Sequence, residues 1–267
     1  QYKIPTMDIT IVKVGGKVVE EAESLSSLLD DFAALGGAKT LVHGGGRSAT
    51  KLSERLGVEA HMIEGRRVTD AETLKIVTMV YAGLVNKNIV AQLQSRGVNA
   101  LGLTGADMGV IRSDRRSPKK MSNGQTVDFG FVGDVREVHT GALSQLISQG
   151  AVPVLSPITH DGHGNLLNTN ADTIASELAR AMAKAHRVRL VFCFEKPGVL
   201  LNPDDDTTVI HDLDYDTFKK YQAEGIVAAG MIPKLDNGFE AIRQGVASVT
   251  ITNVQGLRTG LGTTLRL

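Results

Sequence analysis

Tryptophan is absent, aromatic residues make up only 4% of the chain, and there is one cysteine, Cys193. A single thiol excludes an internal disulfide and a cysteine-built zinc site, and its place within the apolar run LVFCFE suits core packing in a reduced compartment. Net charge is missing too, with Lys plus Arg and Asp plus Glu at 29 each. No overall field then recruits a nucleic acid or a membrane surface, and any anion must be held by local groups. No apolar run is read as approaching the roughly 18 residues that cross a bilayer, and the opening residues lack the charged-then-apolar layout of a secretory signal. A cytoplasmic protein is expected, with no nucleic-acid or membrane partner. Met7 offers a natural start, with residues 1–6 as a leader. The Walker A spacing, Gly plus four residues and then Gly-Lys-Ser/Thr, occurs nowhere, which excludes a P-loop by motif.

What is there alternates. Short β-branched runs, ITIVKV, KTLVHG, AVPVLSPI, VRLVFCF and SVTIT, are separated by stretches of helical period, the pattern of a mainly parallel sheet covered by helices. With 267 residues the chain is long enough to bury a full core as one α/β domain or two joined lobes. Leu25, Leu28, Leu29, Phe32 and Leu35 predict a first helix that Gly36-Gly37 stops. Thr69 with Glu72 reads as a capping box before a long helix with Leu74, Val77, Tyr81 and Leu84 on one face. A third helix follows Asn170, with Asp172 in its first turn and Ile174, Leu178 and Met182 behind; a fourth carries Leu235, Phe239 and Ile242 and ends at Gly245. Residues 58–69, turning at Glu64-Gly65, and 110–138, turning at Asn123-Gly124, read as antiparallel excursions.

Two of the strands, in VKVGGK and LVHGGGRSA, end in glycines where a helix or loop must begin. Ligands of open α/β sheets bind at the carboxyl ends of strands, and glycine lets backbone N–H groups approach an anion closely. A tight turn without a ligand would also use such glycines. Lys13 adds a charge between Val12 and Val14, and an ammonium there must reach out of the strand end or meet a buried carboxylate. Lys234 in GMIPKLDNG and Arg67 in EGRRVTD are cations of the same kind, though each alone also fits a solvated side chain. In LNTNAD, Asn168 and Asn170 offer amides at alternate positions and Asp172 offers one carboxylate able to hold two lysines. An Asn170 cap followed by a first-turn acid explains two of these three residues without a ligand.

At these residues the sequence resembles the amino-acid kinases, in the branch that acts on N-acylated glutamate. The motifs KVGGK, HGGG, GRRVTD, NKNIV, LNTNAD, GMIPK and a terminal GTTL stand in that family's order, from Ile9 onward. The resemblance implies a three-layer αβα sandwich of the carbamate kinase-like type in two lobes, 1–185 for acylglutamate and dimer contacts and 186–267 for ATP. It implies phosphoryl transfer from ATP, with Mg2+ on the nucleotide and no side-chain metal site, to the side-chain carboxylate of N-acetyl-L-glutamate or another N-acylglutamate, early in arginine biosynthesis. Lys13 and Lys234 would stabilise the moving phosphoryl, with Asp172 holding both ammonium groups. Gly16, Gly45 and Gly46 would donate N–H groups, Arg67 would clamp the α-carboxylate, and Asn168 and Asn170 would meet the same substrate. Gly15, Glu195, Gly198 and Lys234 would face the nucleotide. One departure stands out: where the family has an Asp-Val-x-Gly turn, this chain has Glu195-Lys196-Pro197-Gly198.

The acyl group is left open, since a succinyl carboxylate is a possible partner for Arg66 or Arg112, which also read as surface charges. Two other classes compete. Gly44-x-Gly46-x-x-Ala49 with Glu64 downstream passes a loose dinucleotide fingerprint, but a dehydrogenase leaves Lys13, Lys234 and NTNAD unemployed. A ligand sensor on the same scaffold has no need of both lysines and Asp172. A homodimer indifferent to arginine is expected, because the arginine-inhibited members carry an extra helix ahead of the first strand.

Overall fold

A computed structural model describes residues 4–63, 66–121, 123–227 and 230–267. The expected turn at Glu64-Gly65 and residues 1–3 of the expected leader lie outside these. β1 (Asp8–Val14) runs into the short α1 (Gly16–Glu20), then α2 (Ala22–Ala34), β2 (Ala38–His43) and α3 (Gly46–Arg55). β3 (Met62–Ile63) and β4 (Arg66–Arg67) pair antiparallel. One continuous helix follows in three parts, α4 (Ala71–Thr78), a π-helical segment Met79–Val85 and α5 (Asn86–Gln94). Next come β5 (Ala100–Leu103), β6 (Ile111–Arg115), β7 (Lys119–Lys120), β8 (Thr126–Val127), β9 (Gly133–Val138), α6 (Thr140–Ser148) and β10 (Val152–Leu155). The chain finishes with β11 (Ile158–His160), β12 (Leu166–Asn168), α7 (Ala171–Met182), β13 (Arg187–Phe194), β14 (Asp212–Asp214), α8 (Tyr215–Ala223), α9 (Ile232–Arg243), β15 (Ser248–Asn253), α10 (Val254–Thr259) and β16 (Thr263–Arg266).

The main sheet has the order β14-β16-β15-β13-β1-β2-β10-β5 and is parallel throughout except between β15 and β16. Helices α6, α7, α8 and α9 cover one face; α2, the 71–94 helix and α10 cover the other. Period-two alternation distributes β1 between them: Ile9 and Ile11 join the core under α7, while Val12 and Val14 join the core under α2. Lys13 therefore continues the row of Ile9 and Ile11, and leaves the sheet on the α7 face. His43 at the end of β2 has the parity of Leu41 and faces the 71–94 helix. The strand partners Lys13↔Val42 and Val14↔His43 put the two glycine turns side by side.

Several local readings need correction. The cap of the long helix is Asp70, whose side chain accepts from the Thr73 N–H at 2.8 Å, while Thr69 pairs across to Gly130 as an isolated bridge. Leu84 is 68% exposed. The π segment inserts an additional residue into the turn, so the buried row passes from Tyr81 to Val85, Ile89 and Leu93 instead. AVPVLSPI is two strands in two sheets, because Pro157 has no N–H to continue a ladder. By length and a mean hydropathy of 1.2 the stretch Ala71–Gln94 does pass for a membrane span. Its inward face is that of a core helix, with Val77, Ile89 and Leu93 buried against the sheet, while Met79 and Leu84 face outward. The 110–138 excursion forms as expected, with β6 antiparallel to β9, β7 to β8, and Gly124 at φ 82° in the turn.

Candidate active site

Lys13 and Lys234 reach one carboxylate from two directions. Asp172 stands in the first turn of α7, capped by Asn170, whose Oδ1 accepts from the Thr173 N–H at 3.1 Å. Lys13 Nζ is 2.8 Å from Asp172 Oδ1, an ion pair rather than a directed hydrogen bond, and Lys234, from the first turn of α9, donates to Asp172 Oδ2. Burial by itself would raise the Asp172 carboxyl, but the ammonium groups of Lys13 and Lys234 reverse that and hold it at about 2. Burial lowers Lys13, with Asp172 opposing and the Lys234 charge adding to the fall. The triad has two positive charges and one negative, so a surplus cation remains for an incoming anion.

A cavity of about 240 Å³ opens beside the triad, bounded by Lys13, Asp172, the glycines 16 and 44–46, and Arg67. The N-termini of α3 and α7 both face it, and their unpaired N–H groups and positive dipole ends favour an anion. Gly16 has open space where a Cβ would stand. Arg67 is buried over the glycine turn, donating from Nη2 to the Gly46 carbonyl at 2.9 Å and to Thr50 Oγ1 at 2.8 Å. Its Nη1 is buried with no partner among the described residues. A guanidinium nitrogen left in that state is costly unless a ligand oxygen completes it. Asn168 donates to Thr69 Oγ1 at 3.0 Å and lines the same cavity, as does Asn170.

A second cavity, of about 350 Å³, lies on the far side of Lys234. Phe194, Val199, Leu200, Val227 and Met231 make it largely apolar, and Glu195, Lys196 and Gly198 border it. The departing loop is tied down: Lys196 pairs with Asp206 at 2.9 Å, and the Val199 N–H donates to Thr263 Oγ1 at 2.8 Å. A Cβ on Gly198 would come within 2.6 Å of that hydroxyl, which explains why PGVL and GTTL meet through a glycine.

Of the residues singled out from sequence, Lys13, Asp172, Gly16, Gly45, Gly46, Arg67, Asn168 and Asn170 line the first cavity, and Lys234, Glu195 and Gly198 the second. Gly15 lines neither, and its N–H donates to the Cys193 carbonyl at 2.8 Å. Arg66 borders the first cavity, but Arg112 is elsewhere, paired with Glu137 at 3.4 Å. Tyr81 and Arg116 also line it and were not anticipated; the guanidinium of Arg116 is bound to Asp134 at 2.6 Å. In sequence, the helical spacing of Tyr81 indicates a core position only. Nothing local in RRSPKK marks Arg116, which a distant strand turns inward. Burial pushes the Cys193 thiol up to about 12, so it stays an inert core group.

Fold and cleft together define a phosphotransferase scaffold in which two lysines share one acid between an anion pocket and an apolar pocket. The sequence profile of the amino acid kinase family matches residues 8–253, and the chain belongs to that family. A protein of Parabacteroides distasonis named acetylglutamate kinase is 60% identical over 255 residues, 96% of this chain and 98% of its own. Among solved structures, smu.665 from Streptococcus mutans superposes with a TM-score of 0.78 at 26% identity, covering 96% of this chain and 98% of that one. Carbamate kinase from Giardia lamblia bound to AMP-PNP shares the fold at a TM-score of 0.69 and 13% identity, covering 98% and 99%. The expected fold class and kinase activity both stand.

The lowered Lys13 has a consequence for pH. A protonated Lys13 is needed for charge neutralisation, and the proton leaves as pH rises through a value below the ordinary 10.5. In that window the unfolded chain binds more protons than the folded one, so stability rises with pH while activity falls. The alkaline limb of kcat/KM, which reports the free enzyme, is expected below 10.5 with the fold intact by circular dichroism; a limb that coincides with unfolding contradicts the assignment.

Proposed function

We propose that this kinase transfers the γ-phosphoryl of ATP to the side-chain carboxylate of N-acetyl-L-glutamate, in arginine biosynthesis. The observation that carries this is Asp172 held by Lys13 from the anion pocket and by Lys234 from the apolar one. The acylglutamate lies in the first cavity with its α-carboxylate on Arg67, where Nη1 lacks a partner among the described residues, and with Asn168 and Asn170 beside it. The adenosine occupies the second cavity, walled by Phe194, Val199 and Met231 and bordered by Glu195 and Gly198. An oxygen of the acceptor carboxylate forms a bond to the γ-phosphorus as the bond to the β-phosphate oxygen breaks, giving an acyl phosphate and ADP. No general base is required, since the acceptor is ionised at neutral pH. Lys13, Lys234 and the N–H groups of Gly16, Gly45 and Gly46 meet charge on the moving group, the main demand of phosphoryl transfer. Mg2+ would enter on the ATP phosphates and neutralise part of their charge; the described residues gather no three metal-ligating side chains.

N-succinylglutamate is the second reading, because Arg66 and Arg116 add guanidinium groups to the same cavity. Residues 1–185 would serve the acylglutamate and 186–267 the nucleotide. A homodimer is assigned to the 71–94 helix, where Met79 and Leu84 are exposed, and the buried single thiol suits a cytoplasmic setting. Coupled ADP release with N-acetylglutamate, N-succinylglutamate, glutamate and aspartate in parallel tests the proposal. An N-acylated substrate should be turned over far faster than either free amino acid, and equal rates for glutamate or aspartate would remove it. The faster of the two acylated substrates identifies the acyl group.

A further inference from the structure

His43 is wholly buried at the end of β2, on the sheet face opposite Lys13, and does not line the substrate cavity. Its Nδ1 is 2.7 Å from the Gly44 carbonyl oxygen, and its Nε2 is 3.1 Å from the side-chain nitrogen of Asn86. Asn86 has its own orientation fixed, because Nδ2 also donates to the Val154 carbonyl at 3.0 Å and Oδ1 accepts from Lys87 Nζ at 3.1 Å. A carbonyl oxygen only accepts and this amide nitrogen only donates, so the imidazole must be neutral with its hydrogen on Nδ1. Burial lowers the ring to about 4, with the Gly44 carbonyl opposing and the Lys87 and Lys13 charges adding to the fall.

The bond to Gly44 sets more than one atom. In a trans peptide the C=O and the following N–H point in opposite directions. A Gly44 carbonyl drawn to His43 on the helix face therefore turns the Gly45 N–H away from that face, and Gly45 itself lines the cavity. Gly45 itself adopts φ 157° and ψ 13°, and a Cβ there would approach Tyr81 Cδ1 to 3.0 Å and Val85 Cγ2 to 3.4 Å. Both of those residues belong to the π segment, and Asn86 follows it directly as its C-cap. Such segments collect at functional sites because the added residue redirects the side chains around it. From the other side, a Cβ on Gly102 would overlap the Asn86 amide oxygen, so β5 leaves room for Asn86 at that point.

We propose that the His43–Asn86 pair, delivered by the π-helical segment, is a positioning device that aims the Gly45 N–H into the anion pocket. It rests on the acylglutamate kinase reading, whose transferred phosphoryl or acceptor carboxylate is what the N–H would meet. His43→Leu keeps the volume without the polar atoms, Asn86→Ala removes the donor, and His43→Gln retains an amide N–H for Gly44 and an oxygen for Asn86. His43→Leu and Asn86→Ala are expected to lower kcat by about 10–100-fold, the scale of a misplaced contact, with KM for ATP changed less than about twofold. His43→Gln should recover part of kcat. Equal losses in His43→Leu and His43→Gln that follow their melting temperatures, or unchanged kcat in folded Asn86→Ala, would overturn the proposal. If Asn86→Ala does not fold, Asn86→Ser takes its place. Nitrogen-15 NMR of the unmodified protein should show the His43 Nδ1–H tautomer without titration from about pH 5 to 9, and an Nε2–H tautomer would also overturn it. An unmodified protein inactive on every acylglutamate would instead refute the kinase reading, while the tautomer still tests the pair.

Discussion

Lys13→Ala should lower turnover by about two to three orders of magnitude, the usual consequence of removing one preorganised donor from a developing charge. Lys13 leaves the strand beside Ile9 and Ile11 and reaches Asp172 at 2.8 Å, so the substitution takes away a cation without touching the walls of the apolar cavity. KM for ATP should change little. Lys234→Ala should be as severe in kcat and should also weaken ATP, because Lys234 borders that cavity. Asp172→Asn belongs with them, since a neutral amide cannot hold two ammonium groups. Asp172 sits at about 2 when folded, below its unfolded value. The stability it contributes is therefore complete above about pH 4 and is lost as pH falls toward 2, and the variant should lack that acid-side loss. A purely structural triad would give variants whose residual activity follows their stability. Folded Lys13→Ala with near-normal turnover contradicts the assignment.

The second large effect belongs to Arg67→Lys. The guanidinium bridges the Gly46 carbonyl and Thr50 Oγ1 with Nη2 and keeps Nη1 without a partner among the described residues. A lysine cannot hold the glycine turn and a carboxylate in one plane. Loss of one charge-assisted hydrogen bond costs roughly 1.5–3 kcal/mol, or about 10- to 150-fold, and it should fall on KM for the acylglutamate. Steady-state kinetics with each substrate varied in turn checks this. Equal changes in both Michaelis constants would place Arg67 elsewhere.

Much of the site was legible because its chemistry sits where strands end. The charge of Lys13 in an apolar strand, Gly16 after β1, the glycines after β2, and an acid in the first turn of α7 each carry a local physical reason, and these converge in the structure while Gly15 does not. Arg116 was invisible, since what brings it to the cavity is tertiary: it follows β6, and its guanidinium is held by Asp134 of the paired strand β9. The long helix was readable as a helix but not in its phase: the π segment shifts the buried row by one residue, which hides Asn86 from any 3.6-residue count. The Thr69 capping box failed for a tertiary reason. Its backbone pairs with Gly130, where a Cβ would strike the Thr69 carbonyl, and Asp70 is left to cap. Arg66 and Arg112 looked alike in sequence and separate only in space, one at the cavity and one on Glu137.

The product tests the central claim most directly. An acyl phosphate reacts with hydroxylamine to give a hydroxamate, whereas a phosphate ester or simple ATP hydrolysis does not. With N-acetylglutamate, ATP, Mg2+ and hydroxylamine, hydroxamate should form in step with ADP. ADP release without hydroxamate, for N-acetylglutamate and N-succinylglutamate alike, would contradict the account.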